Sequence, residues 1–160
     1  MPKTRKTWRE KLEKEHPALG KTVDIPPKMQ YRFGTGKMLI PKPLAVDALI
    51  RKVPKGRLVT VAQIMEKLAK DANADCACPM TTGIFLRIVA EAAEEDMRSG
   101  KTEITPCWRV LKSDGSLNIK FPDGVQAQAT RLIKEGHAIE LGRGKKPPKV
   151  KDFEKSLQKL

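Results

Sequence analysis

Apolar residues recur at helical spacing in several stretches of this chain, separated by intervals rich in proline and glycine. Over residues 4–15, Trp8 and Leu12 share one face at i,i+4, and Pro17 and Gly20 close the segment. Residues 43–52 begin at a proline and predict a helix with Leu44, Ala48 and Leu49 turned inward. Thr60 suits the cap of a helix over 61–70, whose apolar positions are Val61, Ile64, Met65 and Leu68. A longer helix is expected over 81–98, with Ile84, Phe85, Ile88, Val89 and Ala92 as its stripe and Thr81 or Thr82 at its start. Residues 125–135 predict another amphipathic helix stopped by Gly136, and 150–160 a terminal one with Val150, Phe153, Leu157 and Leu160 on one face.

The intervals carry turns and short strands. Prolines at 26, 27, 41 and 43 and glycines at 34 and 36 make 22–43 mostly loop or short extended pieces. Within it, "YRFGTGK" (31–37) combines aromatic, basic and glycine residues but lacks the Walker spacing. It reads as a structural wrap with possible phosphate-backbone contacts. Ser113-Asp114-Gly115-Ser116 lies between "ITPCWRVL" and "SLNIKF", a hairpin signal, and "HAIEL" reads as a short final strand. Two helices joined by the polar turn "DANADCACP", then a hairpin, predict a mainly α fold with a small β-wing, a winged helix-turn-helix. The expected organisation is a basic extension over 1–42, the winged domain over 43–141, and a basic tail over 142–160.

Charge adds a partner class. Residues 1–52 hold 13 Lys+Arg against 5 Asp+Glu, residues 141–160 hold 7 against 2, and the centre is balanced at 12 against 12. The ends therefore carry the whole excess of +13. Such ends attract a polyanion in a salt-dependent way, or serve only as solubilising tails. No apolar run reaches the roughly 18 residues of a membrane span, and the basic N-terminus has no secretory apolar region. The expectation is a cytoplasmic protein without a membrane partner, nucleoid-associated if bacterial. Three cysteines suggest no disulfide framework.

Three features carry candidate chemistry. Cys107 sits in "TPCWRV"; a nucleophilic cysteine needs a base or cation nearby, and Trp108 is no base, so a reactive thiol and a buried structural one both stand. Cys76 and Cys78 form C-x-C, which lacks zinc half-site spacing, and no metal or other cofactor is expected. Arg87 lies in the first half of the second helix of the pair. It is either a groove-entering cation or a surface residue paired with Glu91 at i+4.

Four segments in order resemble the C-terminal domain of the O6-alkylguanine-DNA alkyltransferase family, including its alkyltransferase-like branch, from about Pro43 to Leu141. "VPKGRLVTVAQI" resembles the entry to its helix-turn-helix, and "FLRIVAEAA" its recognition helix with an arginine finger. "TPCWRVLKSDGSL" resembles the Pro-Cys-His-Arg-Val active-site segment, and "RLIKEGHAI" the closing Leu-x-x-Glu-Gly helix end. The resemblance implies minor-groove binding and rotation of an O6-alkylated guanine out of the stack. By position it makes Cys107 the alkyl acceptor, Arg87 the finger and Glu135 the relay carboxylate. DNA contacts are expected at Arg87, Thr60, Thr82, Gly83 and Arg109. Val61, Cys107, Trp108, Phe121, Pro122 and Asp123 are expected to form the base pocket.

The chain departs from the transferase pattern where chemistry is done. The active-site histidine is Trp108, which offers an N–H donor but no base. Val61 stands where transferases carry a tyrosine, and Phe121-Pro122-Asp123-Gly124 replaces Tyr-Ser-Gly-Gly. Three such losses favour a monomeric DNA-binding lesion sensor that recognises O6-alkylguanine in duplex DNA, transfers alkyl groups poorly at best, and signals to excision-repair proteins. The alternatives are an irreversible methyltransferase acting through Cys107 and a helix-turn-helix regulator without base flipping.

Overall fold

The computed structural model describes residues 6–160, so Thr4 and Arg5 of the expected first helix lie outside the described residues. The chain is mostly helical with three small sheets. In order it forms α1 (Trp8–Glu13), β1 (Thr22–Asp24), α2 (Gln30–Phe33), β2 (Lys37–Leu39), α3 (Pro43–Arg51), β3 (Val59–Thr60) and α4 (Val61–Asp71). There follow β4 (Cys76–Ala77), α5 (Pro79–Arg98), β5 (Val110–Leu111), α6 (Gly124–Lys134), β6 (Ile139–Glu140) and β7 (Lys149–Val150). One sheet has the order β1-β2-β4, the second pairs β3 with β5 in parallel, and the third pairs β6 with β7 antiparallel.

Local chemistry accounts for the helix boundaries. Thr7 and Glu10 form a reciprocal capping box at α1, and Thr60 and Gln63 form another at α4. Proline occupies the first turn of α3 and of α5, where its missing N–H costs nothing. The α5 helix therefore starts at Pro79, two residues before the expected Thr81. Thr82 does not cap it: its hydroxyl donates to the Cys78 carbonyl at 2.7 Å.

The main core gathers Leu12 of α1, Val46, Leu49 and Ile50 of α3, Ile64 and Leu68 of α4, Val89 and Ala92 of α5, and Cys107. Leu44 and Ala48, expected inside, face outward, and so does Ile84. The buried stripe of α3 instead includes Asp47, which is satisfied by Thr105 Oγ1 at 2.6 Å and Arg51 Nε at 2.8 Å. A second cluster joins Leu58, Leu111, Leu117 and Leu132 to Val150 and Phe153. A third holds Ile25, Met38, Cys76 and Cys78.

Neither terminal segment is a separate arm. Leu12 shares the main core, β2 pairs with β4, and the amides of Trp8 and Arg9 donate to the Glu95 carboxylate on α5. The expected terminal helix is replaced by β7 and a 3-10 turn over Phe153–Ser156, because Asp152 takes a left-handed conformation (φ 51°). Residues 156–158 then pair with Leu58: its amide donates to Ser156 O at 2.8 Å, and its carbonyl accepts from Gln158 N at 2.7 Å. Packing thus continues across 42/43 and 141/142, where the sequence reading placed boundaries.

The expected hairpin is also revised. The Asp114-Gly115 turn forms, with Gly115 at φ 85° and its amide donating to Lys112 O. Its far limb pairs back only once, the Lys112 amide donating to Ser116 O at 3.0 Å, and does not continue as a strand. Ser116 bridges Lys149, and Leu117 N donates to Pro148 O, while β5 pairs with β3. Gly115 has no substitute, since a Cβ there would strike the Phe153 ring.

Candidate functional site

A cavity of about 1080 Å³ runs along α5 and is walled by Val61, Gly83, Arg87, Cys107, Ile119 and Phe121, among others. Two expected DNA contacts, Gly83 and Arg87, therefore share it with three expected pocket residues, Val61, Cys107 and Phe121. Met80, Gly83, Ile84 and Arg87 follow one another at helical spacing and are exposed on the same face of α5. A Cβ at Gly83 would meet nothing within 4 Å, so the helix backbone is open to close approach there. Among the described residues Arg87 forms no ion pair, so the expected Glu91 partner does not hold it.

The remaining expected site residues lie elsewhere. Thr60 and Thr82 are buried, one as a cap and the other bonded to the preceding turn, so neither hydroxyl presents itself to a ligand. Trp108, Pro122 and Asp123 do not wall the cavity. Asp123 is exposed and begins α6 at φ 65°. Arg109 turns inward: Nη1 donates to Val53 O at 2.6 Å, and Nη2 and Nε bind the Glu135 carboxylate at 2.7 and 2.9 Å.

The segment around Cys107 is a 3-10 turn, Cys107–Arg109, and not the extended strand expected from alternation. Trp108 leaves this turn sideways, and its Nε1 donates to Glu135 Oε2 at 3.0 Å. Glu135 thus holds both neighbours following Cys107, and it is itself buried, with a side chain 8% exposed. Burial would raise its carboxyl, but the hydrogen bonds from Arg109 and Trp108 and the Arg109 charge outweigh it and hold the group below its ordinary range. His137 feels the charges of both Glu135 and Arg109. Burial and the Arg109 charge lower its pKa against the pull of Glu135, and Nε2 is buried with no hydrogen-bond partner.

Cys107 is 7% exposed and forms part of the cavity wall. Burial pushes its thiol well above the usual range, and the neighbouring Asp47 and Glu94 carboxylates add to the effect against Arg51 and Arg131. The site therefore supplies neither a base nor a net positive field to form the thiolate.

Two residues missed by the sequence reading organise this region. The fully buried Gln128 donates from Nε2 to the carbonyls of Trp108 (3.1 Å) and Val110 (2.9 Å), and its Oε1 accepts from Asn118 N (2.9 Å). Arg131 pairs with buried Glu94 at 2.5 Å and lies over the rings of Trp108 and Phe121, 5.2 and 5.6 Å from their centroids. The signal was present in α6: Gln128, Leu132 and Glu135 recur at i, i+4, i+7 on the inward face, so its polar members need buried partners.

Comparison with known proteins gives a family for this chain. The family described as "6-O-methylguanine DNA methyltransferase, DNA binding domain" matches residues 43–137. A crystal structure of S. pombe Atl1 in complex with damaged DNA containing O6-carboxymethylguanine superposes with a TM-score of 0.49 at 17% identity, covering 74% of this chain and 94% of that one. No curated protein matches the sequence.

Proposed function

The chain belongs to the 6-O-methylguanine DNA methyltransferase family through its DNA-binding domain, and from that premise we propose that it binds O6-alkylguanine in duplex DNA as a lesion sensor without efficient alkyl transfer. One observation carries the reading: the residue between Cys107 and Glu135 is an indole whose only polar atom is committed to Glu135. Alkyl transfer from an aryl ether needs a thiolate and a proton for the leaving guanine. Trp108 accepts no proton from the thiol, and its N–H is donated to Glu135.

In this reading α4 and α5 act as a helix-turn-helix, α5 lies in the minor groove, and the loop 112–120 takes the place of a wing. Gly83 permits close approach of the helix backbone, and Arg87 fills the space left by a rotated base. The base enters the cavity between Val61, Cys107 and Phe121. The protein binds as a monomer and leaves repair to excision-repair proteins. The winged domain over 43–141 is the recognition module, and the flanking segments add phosphate contacts and complete its core.

The rival reading, irreversible transfer to Cys107, has one observation in its favour, that the thiol lines the same cavity. Incubation with duplex DNA carrying O6-methylguanine, read by intact mass and by binding, separates the two. The sensor reading expects tighter binding of the lesion duplex and unchanged protein mass. A gain of one methyl group on Cys107 would establish the rival, and equal affinity for both duplexes would sink the sensor reading. Arg87→Ala is expected to erase most of the lesion preference while leaving binding to undamaged duplex largely intact.

A further inference from the structure

The cavity wall also includes Trp8 and Lys11 of α1 and Arg32 of α2, elements that precede the matched residues 43–137. Two cations of this N-terminal region, Arg9 and Lys37, are paired within the protein, with Asp96 and Asp24. Lys11 and Arg32 form no ion pair among the described residues. Each lies along an aromatic face instead, Lys11 Nζ 4.0 Å from the centre of the Trp8 ring and the Arg32 guanidinium 4.8 Å from that of Phe33. An aromatic face steadies a cation without cancelling its charge. Next to Arg32, Tyr31 is 90% exposed and has a free phenol to donate.

The placement of α1 is fixed by α5 itself. Glu95 accepts from the backbone amides of Trp8 and Arg9, and Asp96 binds Arg9. The helix that carries Lys11 is therefore held rigidly against the helix that carries Arg87. A cation at a set distance from a groove-entering helix suits the regular spacing of phosphates along a strand.

We propose that Lys11 and Arg32, with Tyr31 beside them, form a second phosphate-contact surface that grips the duplex backbone alongside α5. It rests on the reading of this chain as a duplex-binding protein. The surface supplies affinity and register without sensing the lesion, because the phosphate backbone is the same on damaged and undamaged DNA.

The test is the double variant Lys11→Gln, Arg32→Gln, titrated with O6-methylguanine and undamaged duplexes of one sequence across a range of salt. Each lost phosphate contact removes about 0.9 from the slope of log affinity against log salt, so a decrease of about 1.8 is expected. Affinity near 0.1 M salt should fall on the order of tenfold or more, by the same factor for both duplexes. An unchanged slope overturns the proposal, and so does a loss confined to the lesion duplex, which would place the two cations against the base adduct. Thermal unfolding of the variant should shift only slightly, since each side chain gives up a contact with an aromatic ring but no ion pair. If the wild-type protein binds neither duplex, the sensor reading fails as well; wild-type binding with an unaltered variant overturns this proposal alone.

Discussion

The Trp108 indole N–H donates to Glu135 Oε2 at 3.0 Å, and Arg109 binds the same carboxylate, donating from Nη2 to that oxygen at 2.7 Å and from Nε to Oε1 at 2.9 Å. Glu135 is thus the anchor of the turn that presents Cys107. A carboxylate suited to passing a proton onward is engaged here by two donors that do not titrate near neutral pH.

Replacing Glu135 by Gln keeps an acceptor for Trp108 but leaves Arg109 without its countercharge. A cost of about 1.5–3 kcal/mol at neutral pH is expected, measured by urea unfolding. The native pKa of Glu135 is lowered, so its contribution is complete above the ordinary value of 4.5 and is lost as pH falls through the native value. The gap between wild type and variant should therefore shrink steadily below about pH 4.5.

Cys107 should resist alkylation. Burial and two nearby carboxylates keep its thiol protonated, so iodoacetamide at mildly alkaline pH should label it far more slowly in the native protein than in urea. Peptide mass mapping resolves it from Cys76 and Cys78. Native labelling of Cys107 at the denatured rate would show that the thiol is open to the cavity.

Trp108→His would set a titratable imidazole between Cys107 and Glu135. The expected result is a trace of methyl transfer from O6-methylguanine duplex to Cys107, absent in wild type and abolished by adding Cys107→Ser. A variant that stays inert would place the block in the burial of the thiol beside Asp47 and Glu94. The loss of the Arg131 and Arg109 contacts to the indole ring should also lower stability, by about 1–2 kcal/mol.

Gln128→Ala strips partners from two carbonyls and an amide at once, in the turn bearing Cys107 and in the loop ending at Phe121. With each buried group costing about 1–3 kcal/mol, a loss of about 3 kcal/mol or more is expected in thermal or urea unfolding. Lesion binding should weaken at temperatures where the variant is still folded, because the two walls of the cavity are no longer tied together.

The helices were legible in the sequence because their apolar residues repeat and because Pro43 and Thr60 mark the starts of α3 and α4, whereas α5 starts at Pro79, ahead of the threonines expected there. The inward face of α3 was misread for a specific reason: Asp47 is buried, and only Thr105, far along the chain, makes that tolerable. The hairpin failed similarly. Its turn is local and correct, but Ser116 and Leu117 find their partners at Pro148 and Lys149. At the site, the identity of Trp108 was informative, whereas its direction was not. The indole was expected on the cavity wall, and Glu135, Arg109 and Arg131 draw it away. Thr60 caps α4 as the sequence predicts, but the cap uses the hydroxyl that the resemblance assigns to DNA, and the Thr82 hydroxyl is likewise spent on the Cys78 carbonyl.

The pairing of Leu58 with residues 156–158 bears on how this protein can be divided. A fragment cut to the matched residues 43–137 would keep α4, α5 and Cys107. It would leave β3 with an unpaired edge and strip Val150 and Phe153 from the floor beneath Leu111 and Leu117. Open edges beside bare apolar surface recruit other chains. Such a fragment should aggregate during expression, and in the cell the nascent domain is exposed to the same hazard until residues 150–158 have been synthesised.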